Sequence, residues 1–306
     1  MGIKGLNRFL KATCFNNIYH ISLEELRGKT IVVDASIYMY RFKCDDKLIE
    51  GIYQMLSQFK YFNIVPIFVF DGKPPPEKYD VLQQRRLLKR EAEHRYYELK
   101  DQLETDTTKY EMDTLRKKFV RISKDDVEKV KKLLELMGTS YYECEGESDA
   151  VCAYFVKTGR AYACLSEDMD LFVYGTLMVL RYLSLLKSTV VVYDTLGVLT
   201  TLKLTFKEFQ SICLLSGCDY NKGINDFDYS LNMFIKYQET DNENTYSDWM
   251  IKKDRLVCEC SFDRTVEMFD ISKLTIDPTR FIKSTENNEH LKEFLSNYGF
   301  IFVNIH

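Results

Sequence analysis

The chain has 306 residues, of which 45% are hydrophobic and 29% are charged, with a formal net charge of −4. This composition excludes an intrinsically disordered chain, and the longest apolar run, residues 64–70, is too short to cross a bilayer. Nine cysteines without a Cys-x-x-Cys pair, and no secretory segment at the start, predict reduced thiols in an intracellular protein without membrane association.

Short apolar runs alternate with amphipathic stretches along the first two thirds of the chain. Continuous apolar runs predict buried strands, whereas apolar residues at helical spacing predict helices. In chain order the predicted elements are a strand over 29–34, a helical region over 35–61, a strand over 65–71, helices over 77–100, 110–119 and 123–136, a strand over 139–142, a helix over 149–158, a strand over 161–165, and strands over 178–182 and 189–193 as a hairpin or mixed edge. Beyond residue 205 the pattern is mostly helical, with a polar loop over 239–250. The alternation predicts an α/β fold with a mostly parallel central sheet covered by helices.

Acidic residues follow the ends of the predicted strands and one apolar helix. They are Asp34, Asp71, Glu147, Asp149, Asp168, Asp170 and Asp219. Ligands of open α/β sheets bind at the carboxyl ends of the strands, so several separate segments would deliver carboxylates to one edge. A single Asp at a strand end is more simply the N-cap of the next helix. Capping does not explain the whole set, because residues two apart do not share a helix face and so many carboxylates would repel one another without cations.

The acid set predicts a site for hard divalent cations. Oxygen ligands favour Mg²⁺, with Mn²⁺ as the usual substitute. One Mg²⁺ requires only one or two carboxylates, so seven acids predict two ions, with some acids acting through water. Two ions about 4 Å apart are the known arrangement for phosphodiester hydrolysis. Because such a site keeps a negative charge, it also requires a basic side chain nearby.

Lys78, Arg85 and Lys89 lie along one face of the helix predicted after the Pro74–Pro76 break. Two interpretations are open: a solvated basic surface, or cations that offset the charge of a scissile phosphate. The position of Asp71, just before the break, favours the second. The net charge does not decide the partner, because residues 73–132 contain 17 Lys and Arg against 13 Asp and Glu.

Six short blocks carry a resemblance to a known family. They are residues 1–6 (MGIKGL), 33–36 (VDAS), 70–75 (FDGKPP), 147–150 (ESDA), 167–170 (EDMD) and 217–220 (GCDY). In order and spacing they resemble the flap endonucleases, structure-specific nucleases of the 5′-nuclease superfamily that are related to the XPG repair nucleases. The resemblance is clear over residues 1–235 and continues more faintly to about residue 300.

The resemblance implies a PIN-like nuclease fold, two Mg²⁺ ions held by the seven acids, and cleavage of branched or 5′-flapped DNA. It implies catalytic roles for Lys78, Arg85 and Asp170. Tyr40 matches a base-stacking tyrosine, although without the resemblance it would be an ordinary aromatic residue. The implied DNA-binding residues are Gly2, Tyr40, Lys78, Arg85, Lys89, Arg116, Lys117, Lys118, Arg121 and Gly223. For the four from Arg116 to Arg121, a solvated face is the alternative.

The resemblance also divides the chain. The regions are an N-terminal nuclease region over 1–100, a helical arch inserted over 86–121, an internal nuclease region with a degenerate helix–two-turn–helix over 122–235, and a divergent helical C-terminal region over 236–306. Asp226 and Asp228 place acids near a turn where the family has a second glycine, so we expect repulsion of phosphate and a weaker grip on duplex DNA. The chain stops at His306 without a sliding-clamp peptide, so we expect a compact monomer, acting in the nucleus or cytoplasm, or at a viral replication site if the source is a large DNA virus.

Three activities fit these expectations. The first is a Mg²⁺-dependent nuclease that cuts 5′ flaps or branched DNA in replication, repair or recombination. The same core suits a 5′→3′ exonuclease or a junction-resolving nuclease, and relative rates on flap, gapped, nicked and four-way substrates would separate these. A catalytically silent DNA-binding relative is the competing class, but all seven acidic positions are kept.

Overall fold

The computed structural model describes residues 2–100, 105–220, 226–240, 245–254 and 262–302. Strands within these ranges form one mixed sheet. They are β1 (Ile18–Ser22), β2 (Thr30–Asp34), β3 (Val65–Phe70), β4 (Ser140–Glu143), β5 (Ala163–Leu165), β6 (Met178–Ser184), β7 (Thr189–Asp194) and β8 (Phe281–Ile282). The spatial order is β1-β7-β6-β5-β2-β3-β4-β8.

Helices pack on this sheet, and most described elements after β7 are also helices. In the described ranges they are α1 (Leu6–Thr13), α2 (Ala35–Cys44), α3 (Leu48–Tyr61), α4 (Tyr79–Lys100), α5 (Asp106–Phe119), α6 (Lys124–Leu136), α7 (Ser148–Lys157), α8 (Asp170–Val173), α9 (Thr195–Leu202), α10 (Phe206–Ser216), α11 (Phe227–Gln238), α12 (Tyr246–Asp254), α13 (Phe262–Met268) and α14 (Asn288–Ser296). None of them is long and apolar enough to span a bilayer.

The centre of the sheet is parallel, as the sequence predicts. Strands β6, β5, β2, β3 and β4 run in the same direction. The neighbouring strands β7 and β8 run antiparallel to β6 and β4, and the outermost strand β1 runs antiparallel to β7. Alternate residues face opposite sides of a strand. Val32 and Val69 therefore pack in one core, and Val33 and Phe68 pack in the other. A sheet buried on both faces explains why β2 and β3 are continuous apolar runs.

Three details differ from the predicted elements. Strands β1 and β8 lie at the edges of the sheet and are absent from the prediction. The loop predicted over 239–250 is wrong from Tyr246 onward, where α12 begins. The helix predicted from Glu77 begins at Tyr79, because Pro76 opens a short 3-10 turn that ends at Lys78. The predicted hairpin is confirmed as the antiparallel pair β6–β7.

Helices α4 and α5 pack against each other and contribute little to the core. Helix α5 has no buried residue, and α4 buries only Ala92 and Leu99. A helix pair with so few buried residues is largely exposed to solvent, as an inserted arch over 86–121 would be. The seven cysteines of the described ranges are free thiols, and Cys258 and Cys260 lie outside these ranges.

Candidate active site

The parallel strands bring their acids to one edge of the sheet. Strand β2 ends at Asp34, β3 ends one residue before Asp71, and β5 ends three residues before Asp168. These strands are adjacent in the order β5-β2-β3, so their carboxyl ends meet. Asp170 is the first residue of α8, and Asp219 follows the end of α10 by three residues. Both helices pack in the same hydrophobic core.

Helix α7 brings the next two acids to this edge. Glu147 precedes the helix and makes no capping hydrogen bond, and Asp149 lies in its first turn. The N–H of Ser148, which has no partner within the helix, donates to Asp71 Oδ1 at 2.8 Å. Asp34 does cap α2, through the N–H of Ile37. Capping therefore accounts for part of the acid pattern but not for its convergence.

The acids lie close enough to repel one another, and the N–H of Asp170 donates to Asp168 Oδ1 at 3.1 Å. Burial and then Asp71 raise the pKa of Asp34 to about 7. Burial, followed by repulsion from Asp168 and Asp34, raises the pKa of Asp149 well above its usual value. Burial, followed by Asp168 and Asp219, does the same for Asp170. Carboxylates gathered in this way favour any cation that binds among them.

The donor chemistry fits a hard divalent cation. All seven predicted side chains offer oxygen, and Asp170 Oδ1 is buried without a hydrogen-bond partner among the described residues. Within the described ranges, however, no three acidic, His or Cys side chains stand close enough together to form a ready-made metal site. Two of the carboxylates are instead paired with cations of the protein.

Lys78 is one of these cations. It is 8% exposed, and its Nζ donates to Glu147 Oε1 and lies 3.0 Å from Asp219 Oδ2. Burial alone would lower the pKa of Lys78, but the two carboxylates together raise it above its ordinary value. A solvated surface is therefore the wrong interpretation for Lys78, which belongs to the 3-10 turn before α4 and points into the acid cluster.

Arg85 and Lys89 continue from Lys78 along α4. Arg85 donates to both carboxylate oxygens of Asp219, at 2.7 and 2.8 Å. Lys89 donates to the carbonyl of Val120 at 2.9 Å and lies 4.7 Å from the ring centre of Tyr40, which is 40% exposed. The predicted basic face thus spans from the acid cluster to Tyr40.

Gly2 lies against the acidic loop. Its φ of +83° belongs to the left-handed region that favours glycine. A Cβ atom at this position would lie 2.5 Å from Asp168 Oδ1 and 2.8 Å from Asp170 Oδ1. The close approach explains why this N-terminal segment requires glycine.

The basic residues predicted on the arch are mostly paired within the protein. Arg116 pairs with Asp46 at 2.5 Å, Lys117 with Asp113 at 3.1 Å, and Arg121 with Glu93 at 2.5 Å. Lys118 is exposed. To contact phosphate, the three paired side chains must exchange a carboxylate for it.

Near the degenerate turn, one arginine pairs with both acids and offsets part of the repulsion expected there. Arg8 of α1 lies 2.9 Å from Asp226 Oδ2 and 3.0 Å from Asp228 Oδ2. Asp226 also caps α11 through the N–H of Tyr229. Gly223 lies outside the described residues.

Uncharged and C-terminal side chains complete the site, and sequence reasoning missed them. The Tyr220 hydroxyl donates to Glu147, and Ser166 Oγ donates to Asp34 Oδ2 at 2.9 Å. Both lie beside acidic motifs, and this adjacency was the available signal. Arg264 of α13 lines a cavity of about 320 Å³ beside Glu147, so the C-terminal region also reaches the site.

Comparison with known sequences identifies a family. Residues 1–92 match the family model of the XPG N-terminal domain, and residues 138–219 match that of the XPG I-region. Flap endonuclease 1 of Lodderomyces elongisporus is 33% identical over 240 residues, covering 72% of this chain and 61% of the relative. Flap endonuclease 1 of Leishmania major is 34% identical over 242 residues, covering 72% and 60%. The chain thus spans about three fifths of the length of these curated relatives.

Solved structures share the fold. The catalytic core of Rad2 in complex with DNA substrate has a TM-score of 0.70 at 20% identity, covering 98% of this chain and 96% of that one. Human GEN1 with Holliday junction DNA has a TM-score of 0.67 at 21% identity, covering 98% and 74%. Flap endonuclease-1 from Methanococcus jannaschii has a TM-score of 0.63 at 24% identity, covering 92% and 90%. These likenesses confirm the PIN-like nuclease fold. The two matched domains and the flap endonuclease 1 relatives show that the chain belongs to the XPG family of 5′-nucleases.

Proposed function

We propose that this chain is a divalent-metal-dependent, structure-specific DNA nuclease that cleaves 5′ flaps or branched DNA. The observation that carries the proposal is the gathering of acids from separate segments at one sheet edge, with Lys78 buried among them. The flap endonuclease 1 relatives support DNA as the substrate. We further propose that it acts as a monomer inside the cell, in the nucleus or cytoplasm, in replication, repair or recombination.

The proposed metal ligands are the seven acids. They are Asp34, Asp71, Glu147, Asp149, Asp168, Asp170 and Asp219. Two Mg²⁺ ions, or Mn²⁺ as a substitute, would supply Lewis-acid activation of water and stabilisation of the leaving oxygen when bound. Asp170 Oδ1, which has no hydrogen-bond partner in the described part of the chain, supports a central role for this residue.

Lys78 and Arg85 act on the phosphate in this proposal. In the protein alone they neutralise Glu147 and Asp219. A phosphodiester that enters the site offers them competing oxygens, and cations preorganised at this point stabilise charge that develops in the transition state. The same ion pairs limit repulsion between the acids and the incoming DNA.

The DNA path is proposed to run from the acids toward the arch. The exposed ring of Tyr40 offers a face on which a base can stack, and Lys89 holds this ring near α4. Residues 86–121 would form the arch, with Arg116, Lys117, Lys118 and Arg121 as phosphate contacts. Gly2 would approach the DNA through its backbone, and Gly223 is proposed to contact the duplex.

A cleavage-site map on a 5′-labelled flap tests this function. We expect one dominant cut near the junction with Mg²⁺ and no cut with EDTA. Gapped, nicked and four-way substrates in parallel would distinguish flap cleavage from exonuclease and junction-resolving activity. Tight binding without cleavage of any substrate would identify a catalytically silent relative and contradict the proposal.

Arg85→Ala should slow the chemical step more than it weakens DNA binding. Its guanidinium is held by Asp219 beside the proposed metal ligands, so its loss removes transition-state charge stabilisation, by about a hundredfold in single-turnover rate. Arg86→Ala is the matched control, because Arg86 is its exposed neighbour. A loss confined to the Kd for DNA, with an unchanged rate at saturation, would contradict the role of Arg85.

A further inference from the structure

A buried cation lies beneath the loop that carries Asp168 and Asp170. Arg181 of β6 is 5% exposed. Burying a guanidinium is costly unless its N–H groups are paired, yet its Nε has no hydrogen-bond partner among the described residues. Replacing a buried ion pair as a whole by well-packed apolar residues is often neutral or stabilising. Stability alone therefore does not explain an arginine here.

The contacts of Arg181 concentrate on the two residues that alternate with the acids. One terminal nitrogen donates to the backbone carbonyl of Glu167 at 2.8 Å, and the other contacts Met169 Sδ at 2.9 Å. Nε lies 3.5 Å from the Glu167 carboxylate. Glu167 and Met169 thus face the guanidinium, while Asp168 and Asp170 take part in the acid cluster.

The next residue of β6 fixes the same loop. The N–H of Tyr182 donates to Glu167 Oε1 at 2.6 Å. Tyr182 has a φ of +55°, a left-handed conformation that is costly for a tyrosine. Glu167 is therefore held through both its backbone carbonyl and its carboxylate, one residue before Asp168.

Arg181 also holds the N-terminal helix. It donates to Asn7 Oδ1 of α1 at 2.7 Å, and Asn7 Nδ2 donates to the Tyr182 hydroxyl at 2.9 Å. Helix α1 follows Gly2, whose backbone lies against Asp168 and Asp170. One buried cation thus fixes both the acidic loop and the segment packed on it.

We propose that Arg181 is a positioning residue that sets Asp168 and Asp170 for cation binding. It acts through Glu167, Met169 and Asn7 and touches neither cation nor DNA. The inference rests on the proposed function, since it assigns Arg181 to the geometry of that site. Replacing a residue that orients metal ligands without touching the metal typically lowers metal affinity by about 10–100-fold.

The test compares Arg181→Met with Arg181→Lys and a destabilised control. Leu133→Ala is the control, because Leu133 is fully buried in α6, in the other core. The readout is the Mg²⁺ concentration that gives half of the maximal rise in melting temperature, measured without DNA. We expect about a tenfold higher concentration for Arg181→Met, a smaller increase for Arg181→Lys, which keeps the charge, and the wild-type value for Leu133→Ala.

The outcomes separate the two proposals. A lower melting temperature in Arg181→Met with an unchanged Mg²⁺ midpoint would overturn the positioning role alone. A wild-type protein that Mg²⁺ does not stabilise would overturn the proposed function and this inference with it. If Arg181→Met does not fold, Asn7→Ala serves instead: a midpoint raised about threefold supports the inference, and the wild-type midpoint overturns it.

Discussion

Replacing Asp170 by asparagine is expected to stabilise the metal-free protein while it lowers the rate of DNA cleavage by at least about a thousandfold. Asp170 is 3% exposed, and burial together with Asp168 and Asp219 raises its pKa well above the usual value. Asparagine removes a carboxyl group that folding must either bury as a charge among like charges or protonate, and both cost free energy. It also replaces the carboxylate whose Oδ1 lacks a hydrogen-bond partner within the described ranges, so the variant should lose metal-dependent stabilisation.

The control for Asp170→Asn is an aspartate that ends a strand and caps the next helix. Asp194 ends β7 and caps α9 through the N–H of Gly197, at 3.1 Å. Asparagine caps helices as well as aspartate does, so Asp194→Asn should leave both melting temperature and cleavage nearly unchanged. Calorimetry in EDTA and in Mg²⁺, with single-turnover cleavage, measures both effects. Retained cleavage in Asp170→Asn would contradict its assigned role.

Replacing Lys78 by methionine is expected to have the opposite effect on metal-free stability. The methionine keeps the packing of the apolar stem but leaves Glu147 and Asp219 without their buried cation, at a cost of about 3 kcal/mol. Because Mg²⁺ can offset the carboxylate charge that Lys78 no longer balances, it should raise the melting temperature of this variant more than that of the wild type. Cleavage should still fall by about 10²–10³-fold, since the cation for the phosphate is lost.

Lys131→Met is the matched control for Lys78. Lys131 is 14% exposed and pairs with Glu128 and Glu143, so its loss also breaks ion pairs of a largely buried lysine. It should lower the melting temperature without changing the cleavage rate or the response to Mg²⁺. If Lys78→Met and Lys131→Met behave alike in cleavage, Lys78 has only a structural role.

The centre of the fold could be predicted from sequence because burial on both faces leaves a clear pattern. Strands β2 and β3 are continuous apolar runs that end beside Asp34 and Asp71. The edge strands leave no such pattern. Strand β1 has exposed residues at Tyr19 and His20, and β8 has only two residues. Neither has a period-2 pattern of its own, so each forms only because it pairs with the neighbouring strand.

The sequence predicted which residues form the site better than it predicted what those residues contact. The acids could be found because each follows a strand or an apolar helix, and the structure brings them together. The burial of Lys78 could not be predicted, because helical spacing placed it on an exposed face and the 3-10 turn at Pro76 redirects it. The pairs Arg116–Asp46 and Arg8–Asp226 join distant segments, so only the folded chain reveals them.

The central claim is that one rim of acids holds a pair of divalent ions, and anomalous diffraction from crystals soaked in Mn²⁺ tests it most directly. We predict two anomalous peaks about 4 Å apart, within coordination distance of carboxylates that include Asp34, Asp149 and Asp170. The peaks should be lost or reduced to one in Asp170→Asn. No peak among these carboxylates at saturating Mn²⁺ would contradict the claim.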